Sequence, residues 1–106
     1  MWNPISEDAL LSLIAQAEAA MEPPARAFWD RVRISPVKWA LLKWGDCGGG
    51  FWVVAIVGHE CVWYNDIEDG FNISRFDILG RIAEYSCNQS ELHHVMNSLV
   101  ASELPW

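Results

Sequence analysis

The sequence predicts an α+β domain: an antiparallel meander of about four to five strands, with helices from the two ends of the chain packed on it. Three observations lead there. Residues 51–57, FWVVAIV, form an unbroken apolar run rich in β-branched and aromatic side chains, and after Gly58 and His59 the run resumes through Val62, Trp63 and Tyr64. Near both ends, apolar residues recur at helical spacing: Leu10, Leu13, Ile14, Ala17 and Met21, then Leu92, Val95, Met96 and Leu99. Finally, 106 residues leave room for a single domain with one core, and 52% hydrophobic against 20% charged residues favours folding over disorder.

The first helix is well punctuated. Ser6 supplies an N-cap, Glu7 and Asp8 complement the helix dipole, and Ile5 and Leu10 stand at the positions of a hydrophobic staple. Pro23 and Pro24 end it. Residues 25–32 read as a short second helix with Phe28 and Trp29 inward, and Ser35-Pro36 is expected to stop it and turn the chain. Residues 37–44 read as the first long strand, followed by a glycine-rich loop at residues 45–50. That loop lies between two strands and lacks the lysine and hydroxyl of a phosphate-cradling loop, so phosphate binding is not expected of it.

Gly58-His59 has the pattern of a two-residue type II′ hairpin turn. Strict alternation would put Phe51, Val53, Ala55 and Val57 on one face with Glu60, Val62 and Tyr64. Trp52, Val54 and Ile56 would share the other with Cys61, Trp63 and Asn65. Both faces are apolar, so the hairpin is covered on two sides or presents one of them to a partner. Residues 65–70 form a turn ending in Asp-Gly, residues 71–74 continue as a strand, and residues 81–85 suggest a short edge strand after Gly80. Asn88 with Glu91 resembles a capping box for the last helix, and the apolar tail Leu104-Pro105-Trp106 is expected to fold back on the body.

Fourteen acids against seven bases give a formal charge of −7, which argues against a nucleic-acid binder and suits a basic partner. The charge is segregated. Residues 26–43 carry Arg26, Arg31, Arg33, Lys38 and Lys43 against Asp30 alone, whereas residues 44–74 carry Asp46, Glu60, Asp66, Glu68 and Asp69 with no base. Seven tryptophans fit a tight core and an adhesive interface equally well. Cys47, Cys61 and Cys87 show no metal or redox spacing and read as reduced thiols of a cytoplasmic protein. No signal-peptide pattern and no membrane-length apolar run is present.

No catalytic set emerges. Cys61 and His59 are the residue types of a nucleophile and base, but one points into the sheet and the other sits in the hairpin turn. Glu91 and His94 have the spacing of a helical metal pair without the second motif such sites require, and His93 and His94 read as residues of a solvated face. Asp66, Glu68 and Asp69 lack the alternation of a calcium loop. No enzyme, metal or cofactor is therefore expected.

The segments GGFWVVA at residues 49–55 and VWYNDIEDGFNIS at residues 62–74, with Glu84-Tyr85, Cys87-Asn88-Gln89 and Glu91-Leu92, resemble a group of small bacterial proteins of polymorphic-toxin and contact-dependent growth inhibition systems. In those systems such proteins are immunity partners. The resemblance implies that the chain binds and occludes a cognate toxin C-terminal domain, a basic one such as a nuclease. On the residues, Glu60, Asp66, Glu68 and Asp69 would supply charge and Trp63 or Tyr64 would supply anchors. The alternative is a small-molecule site or small enzyme with a pocket between sheet and helices, lined by Trp52, Trp63 and Cys61; a homodimer through an open sheet face is compatible with either.

Overall fold

Ser6 opens the first helix as its side chain predicts. In the computed structural model, which describes residues 3–41 and 49–103, Ser6 Oγ accepts the Ala9 N–H at 3.1 Å and helix α1 runs Glu7–Ala20. Leu10, Ile14 and Ala17 are its buried stripe. Helix α2, Pro23–Val32, begins at the prolines rather than after them, because the first helical positions need no backbone N–H. Trp29 is buried, and Glu18 of α1 accepts both its indole N–H and the Arg33 guanidinium, each at 2.7 Å. Helix α3, Leu92–Glu103, buries Leu92, Val95, Met96 and Leu99, the expected stripe. It starts after Glu91, whose carbonyl accepts from His94 and Val95, so Asn88 is not its cap. None of the described helices is long and apolar enough to cross a membrane.

Strands β1 (Arg33–Trp39), β2 (Phe51–Val57), β3 (Glu60–Asn65) and β4 (Gly70–Arg75) make one antiparallel meander in that order. The hairpin between β2 and β3 closes with Val57 opposite Glu60 and a left-handed Gly58 at φ 61°, as the II′ pattern requires. β1 begins four residues before the predicted start and runs through Pro36. It can do so because β1 is an edge strand whose register shifts between Arg33 and Val37, so the missing N–H falls at the irregularity. The predicted end of that strand at residues 42–44, the loop at residues 45–48 with Cys47, and the tail at residues 104–106 lie outside the described residues. The edge strand expected at residues 81–85 does not form; only Arg81 makes bridges there, to Ala40 and Ile78.

A β-bulge overturns half of the predicted face assignment. Val53 pairs with Trp63 and Ala55 with Val62, leaving Val54 as the extra residue. Beyond the bulge, Ala55 and Val57 share a face with Val62 as alternation demands. Before it the alternation is inverted, so Trp52 joins the helix-side core while Phe51 and Val53 join Trp63 on the opposite side.

The helices cover one face, with Val54, Val62, Tyr64 and Phe71 packed against Leu10, Trp29 and Met96. The other face is covered by the irregular chain that leaves β4. Phe76 packs edge-on against Trp39 at 5.1 Å, and the chain reaches β1, where Ala40 donates to Gly80 and accepts from Ile82. Ile82 is buried there with Leu41. The chain then returns past Tyr85 to the β4 edge, where Phe71 donates to Ser90. The face that a homodimer was expected to use is therefore occupied. The return is clamped by asparagines: Asn72 Oδ1 accepts the Asn88 N–H at 2.7 Å, its Nδ2 donates to the Asn88 carbonyl at 3.0 Å, and Asn65 Nδ2 donates to the Ser86 carbonyl at 2.9 Å. Asn65 and Asn72 are buried, and no buried side-chain polar atom among the described residues lacks a partner.

Two substitutions test this cover and a third serves as control. Asn72→Asp keeps the volume but loses the donors to Asn88 and Gly70, and should lower stability by about 2–4 kcal/mol in urea unfolding. A Cβ at Gly70 would stand 2.4 Å from the Asn88 carbonyl oxygen, so Gly70→Ala should cost about 3 kcal/mol. Gly80→Ala, at φ 94° with open space around it, should cost only about 1 kcal/mol.

Candidate functional site

The acidic turn between β3 and β4 is shaped by the residue that precedes it. Asn65 Oδ1 accepts the N–H groups of Ile67 and Glu68 at 3.0 and 3.2 Å, which curls the backbone and leaves Asp66 and Glu68 half-buried and Asp69 exposed. Asp66 is tied back to the N-terminal segment, its Oδ2 accepting the Ile5 N–H at 2.7 Å. The left-handed residue of the turn is Asp69, at φ 57°, and not the glycine after it. Gly70 is required for a different reason, the close approach of Asn88 and Gln89. The turn is therefore held by α1's lead-in on one side and by the clamped return on the other.

Beside it lies a groove of about 300 Å³, walled by Leu13 and Ala17 of α1, by Phe71, and by Leu92 at the start of α3. Tyr64 contributes its ring, set edge-on to Phe71 at 4.8 Å, and the rim carries Asp69 and Glu91. The Tyr64 hydroxyl is pushed above the ordinary tyrosine range, first by burial, then by the charges of Asp69 and Asp66, and by a hydrogen bond with Asp69. It stays protonated and holds the Asp69 carboxylate. Glu91 Oε2 stands 3.5 Å from His93 Nδ1, and the His93 and His94 rings lie 4.1 Å apart. His93 is half-buried, in contrast to the solvated face expected of it.

The predicted site residues do not all meet. Tyr64, Asp66, Glu68 and Asp69 are together at the turn. Glu60 is at the other end of β3, exposed and opposite Arg75. Trp63 is fully buried, its indole N–H donated to Ser74 Oγ at 3.0 Å and its ring against Phe51 at 4.8 Å, so it is a core residue with no surface to offer as an anchor. Tyr64 is only 7% exposed and shows its edge to the groove. The pocket expected between Trp52, Trp63 and Cys61 does not exist, because the bulge places Trp52 on the face opposite the other two. Trp52 instead donates to the Ile5 carbonyl at 3.1 Å and carries Lys38 Nζ 5.2 Å above its ring.

Cys61 and His59 do not form a nucleophile and base; the thiol is buried and the imidazole is exposed in the turn. Nor do the turn's carboxylates gather into a ligand set. Among the described residues, the metal-ligating side chains that lie within 4.8 Å of one another are Glu91, His93 and His94.

No family model matches the chain, and no curated protein or solved structure does. The residues that sequence reasoning missed are Glu91, which the clamped return carries to the groove, and Asn72 and Asn88, which make the clamp. Their signal was present as asparagines inside and beside a strand, where that residue type is disfavoured unless its amide is used.

The thiol makes a separate test of this core. Burial pushes Cys61 up to about 12, with the Glu60 charge adding slightly and backbone hydrogen bonds opposing. Ellman's reagent should modify exposed Cys87 in the native protein and Cys61 only after denaturation. Between about pH 9 and 12 the unfolded thiol is ionised and the folded one is not, so the unfolded state binds fewer protons and stability falls as pH rises. The fall between pH 9 and 10.5 should be shallower in Cys61→Ala, by up to about 1.4 kcal/mol per pH unit.

Proposed function

We propose that this protein is a cytoplasmic bacterial immunity protein that binds a basic toxin domain and occludes it without catalysis of its own. The observation that carries the reading is where the charges lie. Half-buried Asp66 and Glu68 and exposed Asp69 lie together at one end of the sheet, and Glu91 and Asp69 share the adjoining groove, whose described walls contain no lysine or arginine. The antiparallel register sends Arg33 and Arg75 to the opposite end of the sheet. Arg33 is paired with Glu18 and Arg26 with Asp30. Among the described residues Lys38, over Trp52, stands at the same end of the sheet, and the acids of the turn and groove outnumber it, which steers a basic partner and orients it on arrival.

The turn supports this role because its backbone is held from both sides. A pre-formed surface loses little entropy on association, and its charges need not reorganise when they meet cationic groups. The proposed surface leaves out exposed Glu60, which lies at the other end of β3, and Trp63, which is buried. The surface centres on Asp66, Glu68, Asp69 and the rim of the groove.

Co-expression with the C-terminal domain of the adjacent gene product should give a stable complex and abolish that domain's toxicity. Glu68→Lys combined with Asp69→Asn, the latter retaining a residue type tolerant of the left-handed backbone, should slow association on the order of tenfold at low salt, with less effect at high salt. Unchanged association kinetics would remove the turn from the interface. A tightly bound small molecule in the purified protein, with no toxin neutralised, would favour a pocket protein instead.

A further inference from the structure

We propose that the groove between α1 and the β3–β4 turn is a socket for one basic side chain, an arginine or lysine presented by the protein partner. The immunity reading enters only in naming where that side chain comes from. The chemistry of the socket stands on its walls. A basic side chain has an apolar stem and a cationic head, and it needs apolar surface along its length with acceptors at one end. The groove has that division. Leu13, Ala17, Phe71 and Leu92 form the walls, and Asp69 and Glu91 stand at the rim, with the Tyr64 ring between.

Charge decides the sign of the occupant. The start of α3 contributes a partial positive charge of about +0.5, which by itself would favour an anion. Two carboxylates outweigh it, so phosphate or carboxylate ligands are repelled. Size narrows the choice further. About 300 Å³ is at the lower end of the range of roughly 300–1,000 Å³ typical of ligand pockets, enough for one side chain and too small for a nucleotide with its base and sugar.

One of the two carboxylates is held in place. Asp69 is positioned by its left-handed backbone and by the Tyr64 hydrogen bond, whereas the Glu91 side chain is mostly exposed, its carboxylate 3.5 Å from His93 Nδ1. A pair of carboxylates on separate elements suits the forked guanidinium better than a point charge, so arginine should bind more tightly than lysine.

The test uses the full-length protein and amide-capped single residues. At pH 8 and low salt, Nα-acetyl-arginine amide should produce saturable shifts in the amide resonances of Tyr64, Gly70, Leu92 and His93, with a dissociation constant on the order of millimolar. The lysine analogue should bind more weakly, and the norleucine analogue, with a stem and no charge, should bind at least about fivefold more weakly. Glu91→Gln and Asp69→Asn should each weaken the arginine analogue several-fold while leaving the remaining spectrum unchanged, which shows that the variants are folded.

The socket is overturned if arginine and norleucine analogues shift the groove equally, if the glutamate analogue binds as well, or if both variants bind like the wild type. A toxin domain that binds the double variant with undiminished affinity, when that variant no longer takes arginine amide, removes the socket from the interface and leaves the immunity reading intact. Saturable arginine binding with no toxin neutralised removes the immunity reading and leaves the socket.

Discussion

The pairing of the Asn72 side chain with the Asn88 backbone is the contact on which the rest of this architecture depends. A four-stranded meander with two apolar faces needs cover on both, and the helices reach only one. The other is closed by residues 76–90, a stretch with no regular secondary structure and therefore no internal ladder to satisfy its peptide groups. Such a segment stays down only if the sheet supplies partners for it. Asn72 does this in both directions, accepting from Asn88 and donating to it, and Asn65 and Phe71 add ties to Ser86 and Ser90. Apolar contacts then complete the seal, with Phe76 on Trp39 and Ile82 buried beside Leu41.

The same clamp organises the acidic end. By pinning Asn88 over Gly70 it determines where the chain re-enters as α3, and so carries Glu91 to the groove opposite α1. Asn65 ties the cover with its amide nitrogen and shapes the acidic turn with its amide oxygen. The sheet's cover and the proposed recognition surface are thus built from one set of buried amides. A turn held this way is ordered without being hydrophobic, as the proposed charge-guided contact requires.

The parts of the fold that could be read from the residues are those where local chemistry and tertiary need coincide. Ser6 caps because a hydroxyl followed by Glu7 and Asp8 has few better uses; the stripes of α1 and α3 bury because a period near 3.6 leaves no other face to bury. Gly58 made the hairpin legible for the same reason. The misassignments share a cause as well. The β2 bulge at Val54 adds a residue that no composition rule signals in a run where every neighbour is apolar, and it exchanged Trp52 for Phe51 and Val53. Pro36 reads as a stop until it is known to lie on an edge strand. Trp63 was an attractive anchor only while its face was thought open.

The sequence by itself determined the class of fold, the strand order, the helical faces and the segregation of acid from base, because these follow from periodicity, turn chemistry and composition along short stretches. Tertiary structure alone decided which acids lie together. Asp69 and Glu91 are far apart in the chain and share a groove, whereas Glu60, close to the turn in sequence, lies at the other end of its strand beside Arg75. The physical reason is that a strand carries its two ends apart while an irregular return, held by side-chain amides, can bring any part of the chain to any edge. Such contacts have no period, and only the folded backbone shows where they close.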